Sequence, residues 1–560
     1  DNPEATVSGL AFTDCFAPST KNAGGDDDNS KRIGAAIHLV SGTVTGCRVF
    51  NLLSGHAQNG RNPPVYLSGG TFSDSIVTNN QQGQYGKSPG GVFVDGGTME
   101  GCFIADNTGP DNDCAHGVKL GAGTVRDCVI YGNHSRSVSW GNDNRAGGVS
   151  VLGGTLERCV IAGNSSTPSK TSAYAGGLCV YGAAKVRNCL IWGNSTSSTR
   201  TDAAGGLVVN DDQADVCNVT VVGNASGSGC EGGRLLKGKV KGLISWGHPV
   251  DFAQAGGAIT YSCFKGADDA DGNIAADPLL KDATFVLHRT VAEYAEFMPD
   301  RISPCRDKMP LDPVVPDDLR GLARDATPDM GCHEIQPLPS GDFALAVRPP
   351  EGAVIGGEGF SVTAVVEGDA TGIAEYVWTV IVNGVEEQQV TTQAPTLTIE
   401  ESDYGRYDFV VSASNGRVTR EGGCSVDAHT RVCYVSLTGG NTAPYATPET
   451  AAHSLCDALE TVWGEKGKPG TVYVEKGDYT SMATTLSGAV TVLGALNKPV
   501  HVIGQENPED VIFRYAANDT GGGVAVSDPE ASICGVTFIG TSKASTDSDC
   551  TRGMAIHLTD

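Results

Sequence analysis

Carboxylates gather at three places in this 560-residue chain. Asn210-Asp211-Asp212 ends an apolar segment, and a pair of acids at fixed separation on one face is what acid–base cleavage of a glycosidic bond requires. No Gly-His-Gly or Arg-Ile-Lys follows it, so Asp211 and Asp212 are read as turn residues. Asp26-Asp27-Asp28 and the group Asp268, Asp269, Asp271 offer the oxygen ligands that calcium takes. Neither has an Asp-x-Asp-x-Asp-Gly framework with a distal Glu, and both are read as solvated acidic loops. Calcium at Asp268, Asp269 and Asp271 is the single cofactor candidate. Lysine and arginine are thinly scattered through this part of the chain, so the basic residue that eliminative cleavage of a polyuronide would need over a metal cluster is missing. No catalytic residue is assigned, and the chain is expected not to be an enzyme.

The other patterned chemistry is amide and thiol. Asn80, Asn107, Asn133, Asn164, Asn194 and Asn224 close six copies of one phrase, from GGTFSDSIVTNN through GGTLERCVIAGN to a degenerate QADVCNVTVVGN, at intervals of 26 to 31 residues. Cys102, Cys128, Cys159 and Cys189 stand five residues before four of them, and a companion phrase (GGVFV, HGVKL, GGVSV, GGLCV, GGLVV) begins at Gly90, His116, Gly147, Gly176 and Gly205. Each interval holds short β-branched segments with apolar alternation and no helical periodicity, which predicts two or three strands and their turns. Stacked parallel at about 4.8 Å, such coils would bring equivalent residues into ladders. Asparagine suits a corner because it tolerates the left-handed backbone and its amide both donates and accepts. The four cysteines would form an inward column of small apolar groups, and remain free because stacked side chains point in parallel directions while a bridge needs convergence. Tyr131, Ala162 and Trp192 share one place on successive coils. They are read as ladder packing in preference to an external stripe that stacks on sugar rings. The sequons at Asn133, Asn164 and Asn194 coincide with the ladder and are read as incidental.

These phrases resemble the right-handed parallel β-helix (pectin-lyase-like) superfamily, whose coils carry such asparagine ladders. GNIAADPLL (272–280), SPC (303–305) and PDMGCHE (328–334) resemble the closing segment of bacterial β-helix proteins with choice-of-anchor-type C-termini. Family members usually continue SPC with a short glycine-containing turn, whereas this chain continues RDKMPLDPVV. From 342 to 428 the pattern changes to FSVTAVVEG, AEYVWTVIVNG and YGRYDFVVSASNG, alternating strands of a β-sandwich. EYVWTV with GRYDFVVSASN resembles a PKD or Ig-like module, with Trp378 as its core aromatic. Thr447 as N-cap, Pro448 at the first helical position, and Ala452, Leu455, Cys456, Leu459 and Val462 on one face predict an amphipathic helix stopped by Gly464. It resembles the helix that closes the N-terminal end of β-helix proteins, and GTVYVEKGDYTS, LNKPVHVIGQ and DVIFRYA follow as first coils.

The last residues change the interpretation of the chain. DPEASICGVTF (528–538) matches NPEATVSGLAF (2–12), and GMAIHLTD (553–560) matches GAAIHLVS (34–41), with His557 on His38. The offsets are 526 and 519, so the intervening loop is seven residues shorter in the later copy and keeps only Asp547 and Asp549 of its acids. A tandem repeat near 520 residues follows. The expected fold class is all-β: a right-handed parallel β-helix (1–337), a small Ig/PKD-like sandwich (338–430), and a cap with one helix and the first coils of the next β-helix (431–560). A segment starting and stopping within a solenoid is expected to continue, or to meet neighbouring copies, at both ends. About a dozen coils plus a sandwich give an axial repeat on the order of 100 Å if the two are in line.

Composition narrows the partners. Thirty-nine basic residues against 65 acidic ones give a net charge of −26, a field that repels nucleic acid. No apolar run is long enough to span a membrane, and the first residues carry neither a basic nor an apolar signal region. Eighteen cysteines without a CxxC pair suggest neither a disulfide-dense miniprotein nor a zinc ribbon. Candidate bridges are Cys305 with Cys332, Cys424 with Cys433, and Cys534 with Cys550, although spacing does not fix connectivity. With abundant Gly, Ser, Thr and Asn, this composition points to an exported protein, extracellular or on a bacterial surface. The preferred expectation is a fibre, stalk or adhesin whose partners are further copies of itself, covalent or end to end, and surface glycans. The alternative is a carbohydrate-binding or polysaccharide-degrading β-helix protein whose repeats multiply sites.

Overall fold

Short β-branched segments separated by single left-handed residues fold here into three-sided coils. The computed structural model describes residues 2–14, 16–17, 36–54, 63–82, 89–110, 115–136, 144–167, 173–281, 286–295, 297–350, 352–480, 484–486, 490–492, 494–496, 498–514, 524–526, 528–539 and 556–558. Two compact units result, Asp1–Pro337 and Leu338–Asp560.

In the first unit, equivalent strands of successive periods pair in parallel and in register, as Val129–Tyr131 does with Val160–Ala162 and that strand with Leu190–Trp192. This second side of the solenoid runs through nine strands from Ala11–Thr13 to Ile244–Trp246; the third side has eight, and a fifteen-stranded sheet forms the first. The fold is thus a parallel β-solenoid. Inward residues such as Val125, Cys128, Ile130, Leu156, Cys159 and Ile161 are all 0% exposed and form one continuous core.

Two of the three corners turn on one residue with positive φ. Between the first and second sides these include Asp74, Gly101, Asp127, Arg158, Asn188 and Asn218; between the second and third they include Asn79, Asp106, Gly132, Gly163 and Gly193. The ladder asparagines were expected to hold the left-handed corner themselves, and this is corrected: the residue before each one does. Glycine at 132, 163 and 193 takes that conformation without a Cβ penalty. The asparagine that follows is left to serve through its amide.

The last coil ends with the parallel bridges of Cys263 to Ile244 and Ile274, after which the described residues of 275–337 form a closing segment with few regular elements. Where SPC would meet a glycine turn, Asp307 takes φ 54° and its N–H donates to Asp329 Oδ1 at 2.8 Å.

The second unit opens with a three-stranded antiparallel sheet (Phe343–Arg348, Phe360–Gly368, Thr396–Ile399) and a five-stranded sheet that includes Tyr376–Val382, Gly405–Ser414 and Thr419–His429. Their inner faces share a core with Trp378 at 0% exposure beside Phe343, Val362, Phe409 and Val411. Its indole N–H donates to Thr392 Oγ1 at 3.0 Å. The sandwich and the following coils lie in one unit, joined where the His429 ring stacks on Trp463 at 4.4 Å and Thr430 bridges Val462.

The predicted helix is present but begins later. Thr447 caps only the short turn Pro448–Thr450, and the α-helix is Leu455–Thr461 with Ser454 as N-cap, its side chain accepting from Cys456 N–H at 3.1 Å. Between them Ala452 is drawn into a parallel bridge with Val435, which uses the backbone groups that a continuous helix would need. Leu455, Ala458 and Leu459 of the helix pack on Val435, Val472 and Val502 of the first coils.

The tandem repeat extends to backbone detail. Thr6–Ser8 and Ala11–Thr13 recur as Ser532–Cys534 and Thr537–Ile539, 526 residues later, and Ile37–Leu39 recurs as Ile556–Leu558. Asn2 Oδ1 accepts from Glu4 N–H at 3.0 Å, and Asp528 Oδ1 accepts from Glu530 N–H at 2.8 Å. Gly9 and Gly535 both have φ 69°.

Candidate functional site

The six asparagines form one column at the corner between the second and third sides. Nδ2 of each amide donates to Oδ1 of the next, at 2.8 Å from Asn80 to Asn107 and then at 3.0, 2.9, 3.0 and 3.0 Å up to Asn224. The same Oδ1 accepts the backbone N–H of the preceding asparagine, as Asn164 Oδ1 does from Asn133 at 2.9 Å. The second Nδ2 hydrogen goes to a carbonyl of the preceding coil: Val77 for Asn107, Ile104 for Asn133 and Ile130 for Asn164. Both ends of every central amide are satisfied within the solenoid, and with Asn133, Asn164 and Asn194 at 0% exposure the three sequons present no amide to solvent.

The column ends on residues of other types. At its foot Leu52 stands in the asparagine's place and its N–H donates to Asn80 Oδ1 at 3.1 Å. At its head His248 Nε2 accepts from Asn224 N–H at 3.1 Å, which places the ring proton on Nδ1 facing Asp251 Oδ1 at 3.2 Å. The signal for His248 was in the sequence, since ISWGH stands where an earlier coil has LIWGN.

Cys102, Cys128, Cys159 and Cys189 are buried free thiols in the core. Each donates to the carbonyl two residues before it, at 3.2, 3.0, 3.3 and 3.2 Å. Burial pushes the thiols of Cys128, Cys159 and Cys189 well up, so they carry no thiolate for nucleophilic or metal chemistry.

The outer face of the second side is covered from Val129 to Leu190. Val129, Val160, Ala162 and Leu190 pack against Val291, Tyr294, Phe297, Leu319 and Cys332 of the closing segment, with Tyr131 and Trp192 at the margin. Trp192 lies 6.0 Å from Phe297, centroid to centroid. The position shared by Tyr131, Ala162 and Trp192 is therefore part of an internal seam. The clue was that CVIY, CVIA and CLIW are apolar at every place rather than at alternate ones, the pattern of a parallel sheet buried on both faces.

Arg324 fastens that cover. Its guanidinium donates to Asp317 O at 2.9 Å, Gly331 O at 2.9 Å, Glu334 Oε2 at 3.0 Å and Asn188 Oδ1 at 2.9 Å. Asn188 returns a bond to Asp317 O at 2.8 Å, Arg158 reaches Asp317 Oδ2 at 2.9 Å, and Asn218 donates to Asp329 O and Gly331 O at 3.2 Å. Arg158, Asn188 and Asn218 are the left-handed corner residues of three consecutive coils, so one ladder position changes from turn chemistry to docking chemistry where the closing segment lands. Burial, with the nearby Glu334 carboxylate, pushes Asp329 up to about 7, and burial pushes His333 down to about 4.

The acidic candidates lie apart from all this. Asp211 and Asp212, read as turn residues, lie instead within the strand Leu207–Cys217, at the register shift between Asn210 and Asp215 that leaves them outside the ladder; Asp211 Oδ1 accepts from Gln213 N–H at 2.9 Å, and Asp212 is exposed with Lys237 Nζ 3.5 Å away. Asp268, Asp269 and Asp271 are exposed around the short turn Ala270–Gly272. Among the described residues no three His, Cys, Asp or Glu side chains converge as a metal site. Asp26, Asp27, Asp28, Asp547 and Asp549 lie outside the described residues. His38 is a ladder position, its ring 5.0 Å from Tyr66 and its Nε2 3.3 Å from Ser68 Oγ.

Two of the suggested bridges are not formed. Cys305 and Cys332 are both free and belong to different clusters, Cys332 beneath Tyr294 and Cys305 beside Cys263 and Met309. Cys424 and Cys433 are free; Cys424 sits on a sandwich strand opposite Phe409, whereas the Cys433 thiol donates to Pro444 O at 3.3 Å in the cap. Cys534 is exposed and Cys550 lies outside the described residues.

No protein-family model matches this chain, nor does any curated protein or solved structure.

Proposed function

We propose that this repeat protein is an exported structural element, a fibre, stalk or surface filament of a bacterium in which β-helix rods alternate with Ig-like (PKD-like) sandwich spacers. Its partners are further copies of the same unit, joined in tandem or end to end, and its outer surface meets glycans as an adhesin. The observation that carries the reading is the recurrence of one coil after 526 residues with the same strands, the same Asx turn and the same left-handed glycine. A unit that returns to its own starting geometry is the form a periodic object takes. A solenoid whose patterned polar groups are spent on one another supports a mechanical role rather than a chemical one, as each central asparagine amide does here. The acidity of the chain suits a surface that must not aggregate with like surfaces.

Electron microscopy of the native material tests this. Long thin threads with a regular axial interval are expected. Discrete particles of one unit, or cleavage of pectin or alginate abolished by Asp211→Ala, would replace the structural reading with the carbohydrate-active one.

A further inference from the structure

One coil of the repeat occurs twice, each time with a different neighbour. In the first unit Thr6–Ser8 and Ala11–Thr13 pair with the following coil, Thr43–Thr45 and Arg48–Phe50, with Val7 beside Val44 and Phe12 beside Val49. Among the described residues no strand pairs with their other edges, and Val7 and Leu10 are 40% and 48% exposed. In the second unit the equivalent strands Ser532–Cys534 and Thr537–Ile539 pair with the preceding coil, Val500–Gly504 and Val511–Arg514, with Ile533 beside Val502 and Phe538 beside Phe513. There the edge toward a following coil is the one without a described partner. Ile37–Leu39 likewise pairs with the following Val65–Leu67, and its equivalent Ile556–Leu558 with the preceding Val524–Val526. Each unit thus covers a different face of the same coil. With the two copies of the coil superposed, one inward column runs Val472, Val502, Ile533 or Val7, Val44 and Phe72, and a second Tyr479, Phe513, Phe538 or Phe12, Val49 and Val77, every step an in-register parallel pair. The rings of Tyr479, Phe513 and Phe538 stack at 5.3 and 5.7 Å, so neither column meets a polar side chain at the shared coil.

We propose that the open face of the 2–13 coil is the seat of the coil Val500–Gly504 and Val511–Arg514 of another copy, so that the cap of one copy is the base of the next copy's solenoid and the two form one continuous β-helix. Val502 then lies under Val7, Phe513 under Phe12, and Val524–Val526 under Ile37–Leu39. This joint rests on the tandem arrangement proposed above, in which 528–558 of one copy and 2–39 of the next are the same coil. It pairs a sheet edge and covers an apolar core that an open solenoid end would present to water. The helix Leu455–Thr461, packed on Val472 and Val502, then closes the foot of the combined solenoid.

The test is hydrogen exchange in the 560-residue chain and in an extended chain whose Asp560 is followed by a second Gly42–Pro337, so that 528–560 stands where 2–41 stood. Amides of 532–539 should exchange at least a hundredfold more slowly in the extended chain. Phe538→Asp, which places a charge in the shared core, should abolish that gain. Unchanged exchange of 532–539 in the extended chain would overturn the joint, and so would aggregation of the extended chain under conditions that keep the 560-residue chain in solution, since its added body would then have no base. Native material made of single units would refute the tandem arrangement and the joint with it, whereas unchanged exchange refutes the joint alone.

Discussion

Replacing Asn164 by Leu isolates what the amide column contributes. The Asn164 side chain makes four hydrogen bonds: Oδ1 accepts from Asn133 N–H and Asn133 Nδ2, each at 2.9 Å, and Nδ2 donates to Ile130 O at 2.9 Å and Asn194 Oδ1 at 3.0 Å. Leucine has the same branching and number of heavy atoms, so the loss is chiefly polar. At about 1 kcal/mol net per bond, and more for a buried donor left without an acceptor, the coil should lose about 4 kcal/mol. The control is Asn79→Gly. Asn79 is the exposed left-handed residue beside Asn80, and later coils carry glycine in its place, so the change should stay within about 0.5 kcal/mol. Because the chain has two compact units, native-state hydrogen exchange is the suitable assay; a global unfolding curve would mix them. Amides in 129–136 and 160–167 should lose on the order of two to three decades of protection in Asn164→Leu, since about 1.4 kcal/mol is tenfold. Unchanged protection at Asn133, or equal losses in the two variants, would refute the claim that the amides hold the coils in register.

Three further outcomes follow from the same geometry. Arg324→Ala removes the cation from a buried set of acceptors and should weaken closing-segment docking by about 3 to 5 kcal/mol, read as dye binding to the uncovered Val160 and Leu190 face and faster proteolysis within 286–337. His333, held down at about 4 from an ordinary 6.5, makes the folded state bind fewer protons than the unfolded one, so its contribution falls as pH drops through that window; Asp329, held up at about 7 from 3.8, contributes less as pH rises from about 4 to 7. The two slopes oppose one another, so Asp329→Asn should make the first unit lose about 2 to 3 kcal/mol between pH 6.5 and 4, and His333→Gln should make it gain stability over the same fall, both by denaturant titration. Trp378→Ala, emptying the centre of the sandwich, should cost the second unit about 3 to 5 kcal/mol and leave ladder exchange in the first unit unchanged.

The coils were legible because a solenoid asks for the same residue type at the same place in every turn. Asn80 to Asn224 and the CVI-type runs state that demand many times over, and Trp378 stands out as the one tryptophan of an alternating strand. The corner was misassigned by one residue, since Asn tolerates the left-handed region and the Gly-Asn pair does not say which member uses it. Closing-segment docking rests on contacts more than 100 residues apart, such as Asn188 with Asp317 and Asn218 with Asp329, made at a corner position that earlier coils fill with Asp74, Gly101 and Asp127. No repeat announces such a contact. Its trace is an absence of alternation on the second side, visible only once a cover is being sought.

The mass distribution of the native material in non-denaturing solution tests the repeat reading most directly. Copies joined in tandem or end to end predict masses rising in steps of one repeat, on the order of 50 kDa given a unit near 520 residues. A single sharp species with the mass of one unit, unchanged over a wide range of concentration, would contradict it.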